Sequence, residues 1–271
     1  MGTPEAERTM SARRVVLLGH GISYSASPAM QMAAFAEVGL DWTYELLDVP
    51  PQGLADAVAT LRRPESAGAN VTIPHKLAVM RLLDRLEGDA EAAGAVNTIR
   101  HVDDELIGSN TDVEGVRQAL AEVGVEPLGA EVVVLGVGGS ARAAAVALRG
   151  SHPVFVARRP EAGAGLPGQV YNWDDPVWQA QARRADLIIN TTPLGRRGEM
   201  AMRPSCLPRR GAVIDLVYTD TGTPLIRRAR QLGLRCADGW GVLLAQGAAA
   251  FEAWTGMTPP LGVMRKALQG G

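Results

Sequence analysis

The sequence predicts an α/β protein built on parallel or mixed sheets, and three observations support this prediction. Apolar runs typical of strands alternate with helical segments along the N-terminal part of the chain. A glycine-rich turn then links the apolar run 132–135 to an alanine-rich helix. Two later apolar runs, 185–190 and 212–217, end in polar residues, as strands do where open α/β sheets bind ligands.

Length and composition exclude several classes of protein. The 271 residues suffice for two domains, and no run of about 18 apolar residues indicates a membrane span. A formal net charge of −2 gives no field that would attract nucleic acid or an anionic membrane. The charged N-terminus lacks the apolar stretch of a signal peptide, so we expect a disordered leader over residues 1–13. Cys206 and Cys236 lie far apart with no histidine at ligand spacing, which favours a reducing, cytoplasmic compartment and predicts no metal site.

Strands and helices alternate in the N-terminal part of the chain. Ser27 is expected to cap a helix that has Pro28 at its first position, and Pro74 is expected to begin another helix after the third strand. The elements predicted here are strands at 14–18, at 41–48 and from Gly68, helices at 29–38 and 51–61, a hairpin of 94–99 with 105–108, and a helix at 113–123.

The C-terminal part is predicted to contain a second series of buried strands. These strands are expected at 132–135, 153–157, 185–190, 212–217 and 234–237. From Gly239 we expect a helical chain with a break near 258–260.

The turn after the 132–135 strand has the spacing of a dinucleotide-binding fingerprint. Gly136 permits a sharp turn, Gly138 leaves no Cβ between the main chain and a pyrophosphate, and Ala141 lets the helix pack closely on the sheet. The first free N–H groups of the helix, near Gly139 and Ser140, would face the phosphates at the positive end of the helix dipole. Because a strand precedes the turn and a helix follows it, the pattern predicts nucleotide binding.

Small polar side chains follow the predicted strands of the first 115 residues. They comprise Ser25, Ser27, Asn70, Thr72, Lys76, Asn97, Thr98 and Asp112. Together they suit a neutral, polyhydroxylated substrate, although each one alone could be a turn or cap residue. Lys76 stands out because only it and Lys266 are lysines among 27 basic residues.

Seven segments carry a resemblance to a known family. These segments are Ser25–Pro28, Asn70–Lys76, Gly94–Thr98, Asn110–Asp112, Asn190–Gly195, Asp215–Tyr218, and Asp238 and Gly239 with Gln246. In order and spacing the chain resembles the shikimate dehydrogenases from about Val15 to Gly256. The resemblance implies an N-terminal substrate-binding domain (1–112) rejoined by the C-terminal helices (239–271). It places a Rossmann-like dinucleotide-binding domain (113–238) between them, with a cleft at the joint.

The resemblance also implies roles for individual residues. It identifies Lys76 and Asp112 as the catalytic pair; a lysine can neutralise the charge that develops on a ketone oxygen and give it a proton. The substrate-binding residues it implies are Ser25, Ser27, Thr72, Asn97, Tyr218 and Gln246. Together with the fingerprint turn and the two arginines after the 153–157 strand, of which only Arg158 matches the family's usual turn, it gives as cofactor-binding residues Gly136, Gly138, Gly139, Ser140, Ala141, Arg158, Arg159, Thr191 and Gly239. The implied activity is the reversible reduction of 3-dehydroshikimate to shikimate in aromatic amino acid biosynthesis. We expect a small-molecule substrate, no nucleic-acid or membrane partner, and a monomer or homodimer.

The chain departs from the usual pattern of the family at positions that would line the cleft. The departures are Tyr24, Ala26, Gln31, Met32, Val113, Arg196 and Val242. They leave a quinate, aminoshikimate or aminoquinate dehydrogenase open, although serine at both positions 25 and 27 favours shikimate. A nucleotide-binding regulator or pseudoenzyme is the alternative from another class, and the presence of Lys76 and Asp112 argues against it.

The end of the strand at 153–157 indicates which nucleotide binds. A site for NAD places an acid about 20 residues beyond the first glycine, whereas this chain has Arg158 and Arg159 there. A guanidinium suits the 2′-phosphate of NADP. Glu161 keeps NAD possible, so we predict NADP with NAD as the alternative.

Overall fold

A computed structural model describes residues 12–270, over which the chain divides into two units. The first unit extends to Thr111 and resumes at Leu244, and the second is Asp112–Leu243. From the sequence we predicted divisions after Asp112 and before Gly239. The assignment of these units as substrate and dinucleotide domains stays a prediction.

The first unit contains a mixed six-stranded sheet. Its strands in spatial order are β2 (Trp42–Asp48), β1 (Arg13–Gly19), β3 (Ser66–Val71), β5 (Thr98–Val102), β6 (Glu105–Ser109) and β4 (Arg85–Leu86). β1 pairs in parallel with β2 and β3, while β5 pairs antiparallel with both β3 and β6. The predicted leader lies outside the described residues except at its end, where Arg13 already belongs to β1.

Short helices cover this sheet. They are α1 (Ser27–Glu37), α2 (Leu54–Ala59), α3 (Asp89–Ala93) and α9 (Leu261–Gln269), and α8 (Gly239–Thr255) begins in the second unit and ends in the first. Val16 and Leu18 of β1 are buried with Leu54 and Val58 of α2 in one hydrophobic cluster, which packs α2 against β1.

The second unit contains a parallel six-stranded sheet. Its strands in spatial order are β9 (Val170–Asn172), β8 (His152–Ala157), β7 (Glu131–Leu135), β10 (Leu187–Asn190), β11 (Ala212–Asp215) and β12 (Arg235–Ala237). Its helices are α4 (Asp112–Glu122), α5 (Gly139–Ala147), α6 (Pro176–Ala182) and α7 (Pro224–Gln231). Counted within the unit, the strand order is 3-2-1-4-5-6, so the order reverses between β7 and β10. Ligands of such sheets bind at the carboxyl ends of the strands beside that reversal. The predicted α/β class is confirmed.

Several local predictions can be compared directly with the structure. The hairpin is confirmed, because β5 and β6 pair antiparallel and their turn contains Asp103 and Asp104 with φ of 49° and 65°. Its first strand is Thr98–Val102, however, and not the predicted 94–99. The helix predicted from Pro74 is wrong: a turn follows Pro74, and then a 3₁₀ helix, Ala78–Leu82. The predicted helix 51–61 is an α-helix only over Leu54–Ala59, with a 3₁₀ turn on each side.

Helices α6 and α7 were not predicted, although both carry a start signal. Asp175 accepts a hydrogen bond from the backbone N–H of Val177, and Thr223 accepts one from Ile226, with a proline next in each case. The short elements β4, β9 and α3 were also missed. None of the helices within residues 12–270 combines the length and apolar character needed to cross a membrane.

Candidate active site

Asn97 is held at the start of β5 by Thr111. The Thr111 backbone N–H donates to Asn97 Oδ1 at 2.7 Å, and Asn97 Nδ2 donates to Thr111 Oγ1 at 3.0 Å. Both residues are buried. Because the hydrogen bonds run in both directions, the orientation of the Asn97 amide is fixed.

The same Asn97 amide lies beside Gln246 of α8. Its Nδ2 donates to Gln246 Oε1 at 3.4 Å, which joins residues 149 positions apart. The next residue, Gly247, packs closely on α1, because a Cβ on it would lie 2.1 Å from Met30 Cε. Gln31 Nε2 donates to the Gly247 carbonyl at 2.9 Å, so α1 and α8 are held together at this point. Two predicted substrate residues, Asn97 and Gln246, are therefore brought together.

Ser25 and Ser27 lie where the chain enters α1. The predicted capping role of Ser27 is wrong, because the helix begins one residue earlier than expected, with Ala26 at the N-cap and no side-chain capping bond. Ser25 Oγ instead accepts a hydrogen bond from the Ser27 backbone N–H at 3.3 Å. The Ser27 hydroxyl is thus not used to begin the helix.

The segment from Thr72 to Lys76 is attached to the sheet along its length. The Thr72 N–H donates to the Leu18 carbonyl at 2.8 Å, and a backbone N–H just before β5 donates to the Lys76 carbonyl at 2.8 Å. Between them, His75 is buried, with its Nε2 2.7 Å from the Val49 carbonyl oxygen. These contacts hold the segment as a turn beside the sheet, and Pro74 begins no helix.

Asn70, at the end of β3, has a supporting role. The Tyr44 hydroxyl donates to its Oδ1 at 2.8 Å, and its Nδ2 donates to the Asn97 carbonyl and to Thr98 Oγ1, each at 3.1 Å. Both polar atoms of the amide have partners within the protein, so Asn70 and Thr98 support the strand ends.

In the second unit, the fingerprint turn has the backbone geometry that a phosphate needs. Gly136 has a φ of +112°, and a Cβ on it would lie 2.5 Å from Thr191 Oγ1, so only glycine is accommodated. Thr191, which follows β10, donates its hydroxyl to the Leu135 carbonyl at 2.7 Å. Gly138 is extended at the N-cap of α5, and Ala141 is fully buried against the sheet. The backbone N–H groups of Gly139 and Ser140 are in the first turn of α5, which starts beyond the carboxyl end of β7. Ligands of such sheets bind at these strand ends.

Two exposed arginines follow β8, the neighbour of β7. Asn172 Nδ2 donates to the Arg158 carbonyl at 3.4 Å, which ties the turn to β9. Within residues 12–270, neither the Arg158 nor the Arg159 guanidinium has a hydrogen-bonding or ion-pairing partner. Glu161 is also exposed, in the 3₁₀ helix that comes next. This end of the sheet therefore presents two cations that other groups do not neutralise.

Tyr218 lies in the loop after β11 and packs on Trp240. The ring centroids are 4.6 Å apart, and Trp240 Nε1 donates to the Thr219 carbonyl at 3.3 Å. Gly239 begins α8 directly before this tryptophan. The loop that carries Tyr218 is thus fastened to the start of the last long helix.

Sequence reasoning gave no role to Asn190 and Asp215, which end β10 and β11. Both side chains are fully buried, and Asn190 Nδ2 donates to Asp215 Oδ1 at 2.8 Å. Burial raises the pKa of Asp215 to about 6, although three hydrogen bonds oppose that rise. The signal available in the sequence was a polar residue at the end of each apolar strand.

The predicted catalytic residues belong to different units. Lys76 is half-buried at the end of the fixed segment in the first unit, and Asp112 is the first residue of α4 and of the second unit. Their pairing stays a prediction.

The chain is similar to shikimate dehydrogenases along almost its whole length. Residues 17–99 match the substrate-binding domain of shikimate dehydrogenase, and residues 239–269 match the C-terminal domain of shikimate 5′-dehydrogenase. The shikimate dehydrogenase (NADP(+)) of Geobacter metallireducens is 42% identical, over 95% of this chain and 96% of that protein.

Solved structures give the same result for the fold. Shikimate 5-dehydrogenase of Thermus thermophilus, in complex with NADP(H) and shikimate, superposes with a TM-score of 0.84 at 34% identity, covering 95% of this chain and 98% of that one. The ligand-free 5-ketofructose reductase of a Gluconobacter species superposes with a TM-score of 0.80 at 31% identity, covering 96% and 98%.

Proposed function

The chain belongs to the shikimate dehydrogenase family, and on that basis we propose that it interconverts 3-dehydroshikimate and shikimate with NADP(H). The observation that supports this best is the contact of Asn97 with Gln246, since two residues expected to bind substrate meet from distant parts of the chain. Their amides offer a donor and an acceptor, which is what a substrate hydroxyl requires.

The first unit would hold the carboxylate and hydroxyls of the substrate. Ser25 and Ser27 stand next to each other at the start of α1, and the Ser27 hydroxyl caps no helix. Hydroxyls in this position can donate to a carboxylate, and such charge-assisted bonds are stronger than neutral ones. Thr72, Asn97 and Gln246 are the remaining proposed substrate-binding residues of this unit, and Tyr218 of the second unit completes the set.

Lys76 and Asp112 would perform the proton transfer. When bound, the reduced cofactor supplies a hydride to the carbonyl carbon, so that the C=O π pair becomes localised on oxygen. Lys76 then gives that oxygen a proton, forming the alcohol, and takes the proton back in the reverse direction. The ionised Asp112 would keep the ammonium group oriented. The attachment of the Thr72–Lys76 segment to the sheet supports this role, because an acid–base group acts well only when its position is fixed.

The second unit has residues that fit NADP. Gly136 makes a tight turn against Thr191 that a Cβ would prevent, and Gly138 with the first turn of α5, from Gly139 to Ala141, offers backbone N–H groups for a pyrophosphate. Arg158 and Arg159 would receive the 2′-phosphate. Thr191 and Gly239 complete the proposed cofactor set.

The choice of substrate within the family is part of the proposal. The similarity to a 5-ketofructose reductase means that the fold is compatible with other polyhydroxylated ketones. Quinate and amino-substituted analogues are the alternatives that the cleft departures permit.

Steady-state assays of shikimate, quinate and aminoshikimate, each with NADP and with NAD, test the proposal. We expect the highest kcat/KM for shikimate with NADP. A higher value for any other substrate would reassign the substrate, and no turnover of any of them would leave a nucleotide-binding protein without this activity.

We also infer a cytoplasmic location and a monomer or homodimer. Both cysteines are free, Cys206 buried and Cys236 half-buried, as is usual in a reducing compartment. Cell fractionation tests the location, and light scattering of the purified protein tests the mass.

A further inference from the structure

Asp215 is a buried carboxylate that the proposed chemistry does not use. It is fully buried at the end of β11. Its Oδ1 accepts hydrogen bonds from Asn190 Nδ2 at 2.8 Å and from the Val217 backbone N–H at 3.1 Å, and its Oδ2 accepts one from the Thr223 hydroxyl at 2.6 Å. A carboxylate taken out of water is retained only where such donors surround it.

Asn190, at the end of the neighbouring strand β10, uses its amide in the same way. Its Oδ1 accepts from the Thr192 N–H at 3.1 Å and from the Thr192 hydroxyl at 2.7 Å, while its Nδ2 also donates to the Leu194 carbonyl at 2.9 Å. The Asn190 carbonyl accepts from the Leu216 N–H at 2.9 Å. The loop that begins with Thr191 is therefore folded around this one amide.

The two side chains connect the loops that follow two adjacent strands. Asn190 fixes residues 191–194, which include the proposed cofactor residue Thr191. Asp215 fixes Val217, whose neighbour is Tyr218, and Thr223, which closes the same loop and caps α7. The Asn190–Asp215 bond joins both loops.

We propose that Asp215 and Asn190 are positioning residues that set the Thr191 loop and the Tyr218 loop relative to each other. They act through these loops and touch neither reactant. The inference rests on the proposed function, because Thr191 and Tyr218 are binding residues only within it.

Replacement of Asp215 by alanine or by asparagine tests the inference. D215A removes all three acceptor contacts, whereas D215N keeps the two at Oδ1 and can donate from its amide to the Thr223 oxygen. We expect D215A to raise KM for both NADP and shikimate at least tenfold with kcat changed less than threefold. We expect D215N to stay within about threefold of wild type. Equal KM values for D215A and wild type, or equal losses in D215N and D215A, would overturn the proposal.

A second pair of variants keeps the test decisive if D215A does not fold. Thr223→Val removes the hydroxyl that donates to Asp215 and caps α7, while Thr223→Ser retains both contacts, so only the valine variant should raise KM for shikimate. Asp186 accepts a hydrogen bond from the Glu131 backbone N–H at 3.0 Å, at the amino ends of the strands and thus at the other end of the sheet from Asp215. Asp186→Ala is the control. Its KM values should be those of wild type. If the valine and serine variants had the same KM for shikimate, the proposal would fail.

Titration of NADP in the absence of substrate separates this inference from the proposed function. If the wild type binds NADP but does not oxidise shikimate, the proposed function fails while a weaker NADP affinity of D215A still supports the positioning role. If the wild type oxidises shikimate and D215A binds and turns over both ligands normally, only the positioning role fails.

Discussion

The two proposed binding regions of this protein are constructed in different ways. In the second unit, the turn from Gly136 to Ala141 is a backbone feature, made by six consecutive residues whose geometry excludes a Cβ at Gly136. In the first unit, the proposed site is a polar edge made of side chains, namely those of Ser25, Ser27, Thr72, Lys76, Asn97 and Gln246. Within it, Asn97 meets Gln246 across 149 positions of sequence. A backbone site requires glycines without a Cβ, whereas a side-chain site requires each of its polar side-chain atoms. Single side-chain deletions should therefore lower activity most at the polar edge, above all at Lys76, the proposed catalytic lysine.

Lys76→Ala should have the largest effect of any single deletion. Loss of a general acid–base group lowers kcat by roughly 10²–10⁴-fold, with a smaller change in the KM of shikimate. Steady-state kinetics check this. Lys266→Ala is the matched control, since Lys266 is the other lysine and is exposed on α9. A kcat near that of wild type in Lys76→Ala would remove the lysine from the mechanism.

Asp112→Asn should follow, with kcat lower by about 100-fold, within the range of acid–base groups. The substitution keeps the shape of the side chain and removes the charge that would orient Lys76. Asp112 also lies in the first turn of α4, where a negative charge stabilises a helix by about 0.3–1 kcal/mol.

The control for Asp112 is Glu114→Gln, because Glu114 lies in the same first turn and is exposed. Both variants should lose similar thermal stability, measured by calorimetry, but only Asp112→Asn should lose kcat. Equal kcat in the two variants would reduce Asp112 to a helix-terminal charge.

Arg158→Ala tests a part of the proposed cofactor site that is a side chain rather than backbone. It should weaken NADP by about 1.5–3 kcal/mol, roughly ten- to a hundredfold, and barely change NAD, which has no 2′-phosphate. Fluorescence titration with each nucleotide measures both affinities. Arg149→Ala is the control, because Arg149 is exposed just after the C-terminal end of α5. Equal weakening of both nucleotides would contradict the assignment of NADP. It would favour NAD, with Glu161 as the residue that binds the ribose.

Ser25→Ala and Ser27→Ala should have smaller effects than the substitutions of Lys76, Asp112 and Arg158. Each should raise KM for shikimate by an amount equivalent to about 1–3 kcal/mol, the scale of a hydrogen bond to a charged group, and leave NADP unaffected. Ser23→Ala is the control, as Ser23 is exposed in the same turn. An unchanged KM in both variants would exclude these hydroxyls from the carboxylate site.

The same contrast explains how much could be predicted from sequence. The strand–turn–helix at 131–147 and the hairpin at 98–109 were predictable, because each is determined by neighbouring residues. The helix expected from Pro74 is instead a turn in which His75 contacts Val49, a partner that local pattern does not reveal. Asn190 and Asp215 were overlooked for the same reason, since their importance lies in a contact between strands.

Ser27 shows how far the role of a single residue can be predicted from sequence. A serine followed by proline is typical of a helix N-cap, and a shift of one residue in the helix start moved that position to Ala26. The residue type was informative about chemistry, but the local backbone decided which of its two roles the hydroxyl could have.

The most direct test is an equilibrium titration of wild type, Ser27→Ala and Arg158→Ala with NADP and, separately, with shikimate. If the polar edge binds the substrate and the second unit binds the cofactor, Ser27→Ala will weaken shikimate alone and Arg158→Ala will weaken NADP alone. Loss of NADP affinity in Ser27→Ala, or equal loss of both ligands in Arg158→Ala, would contradict the assignment of one ligand to each region.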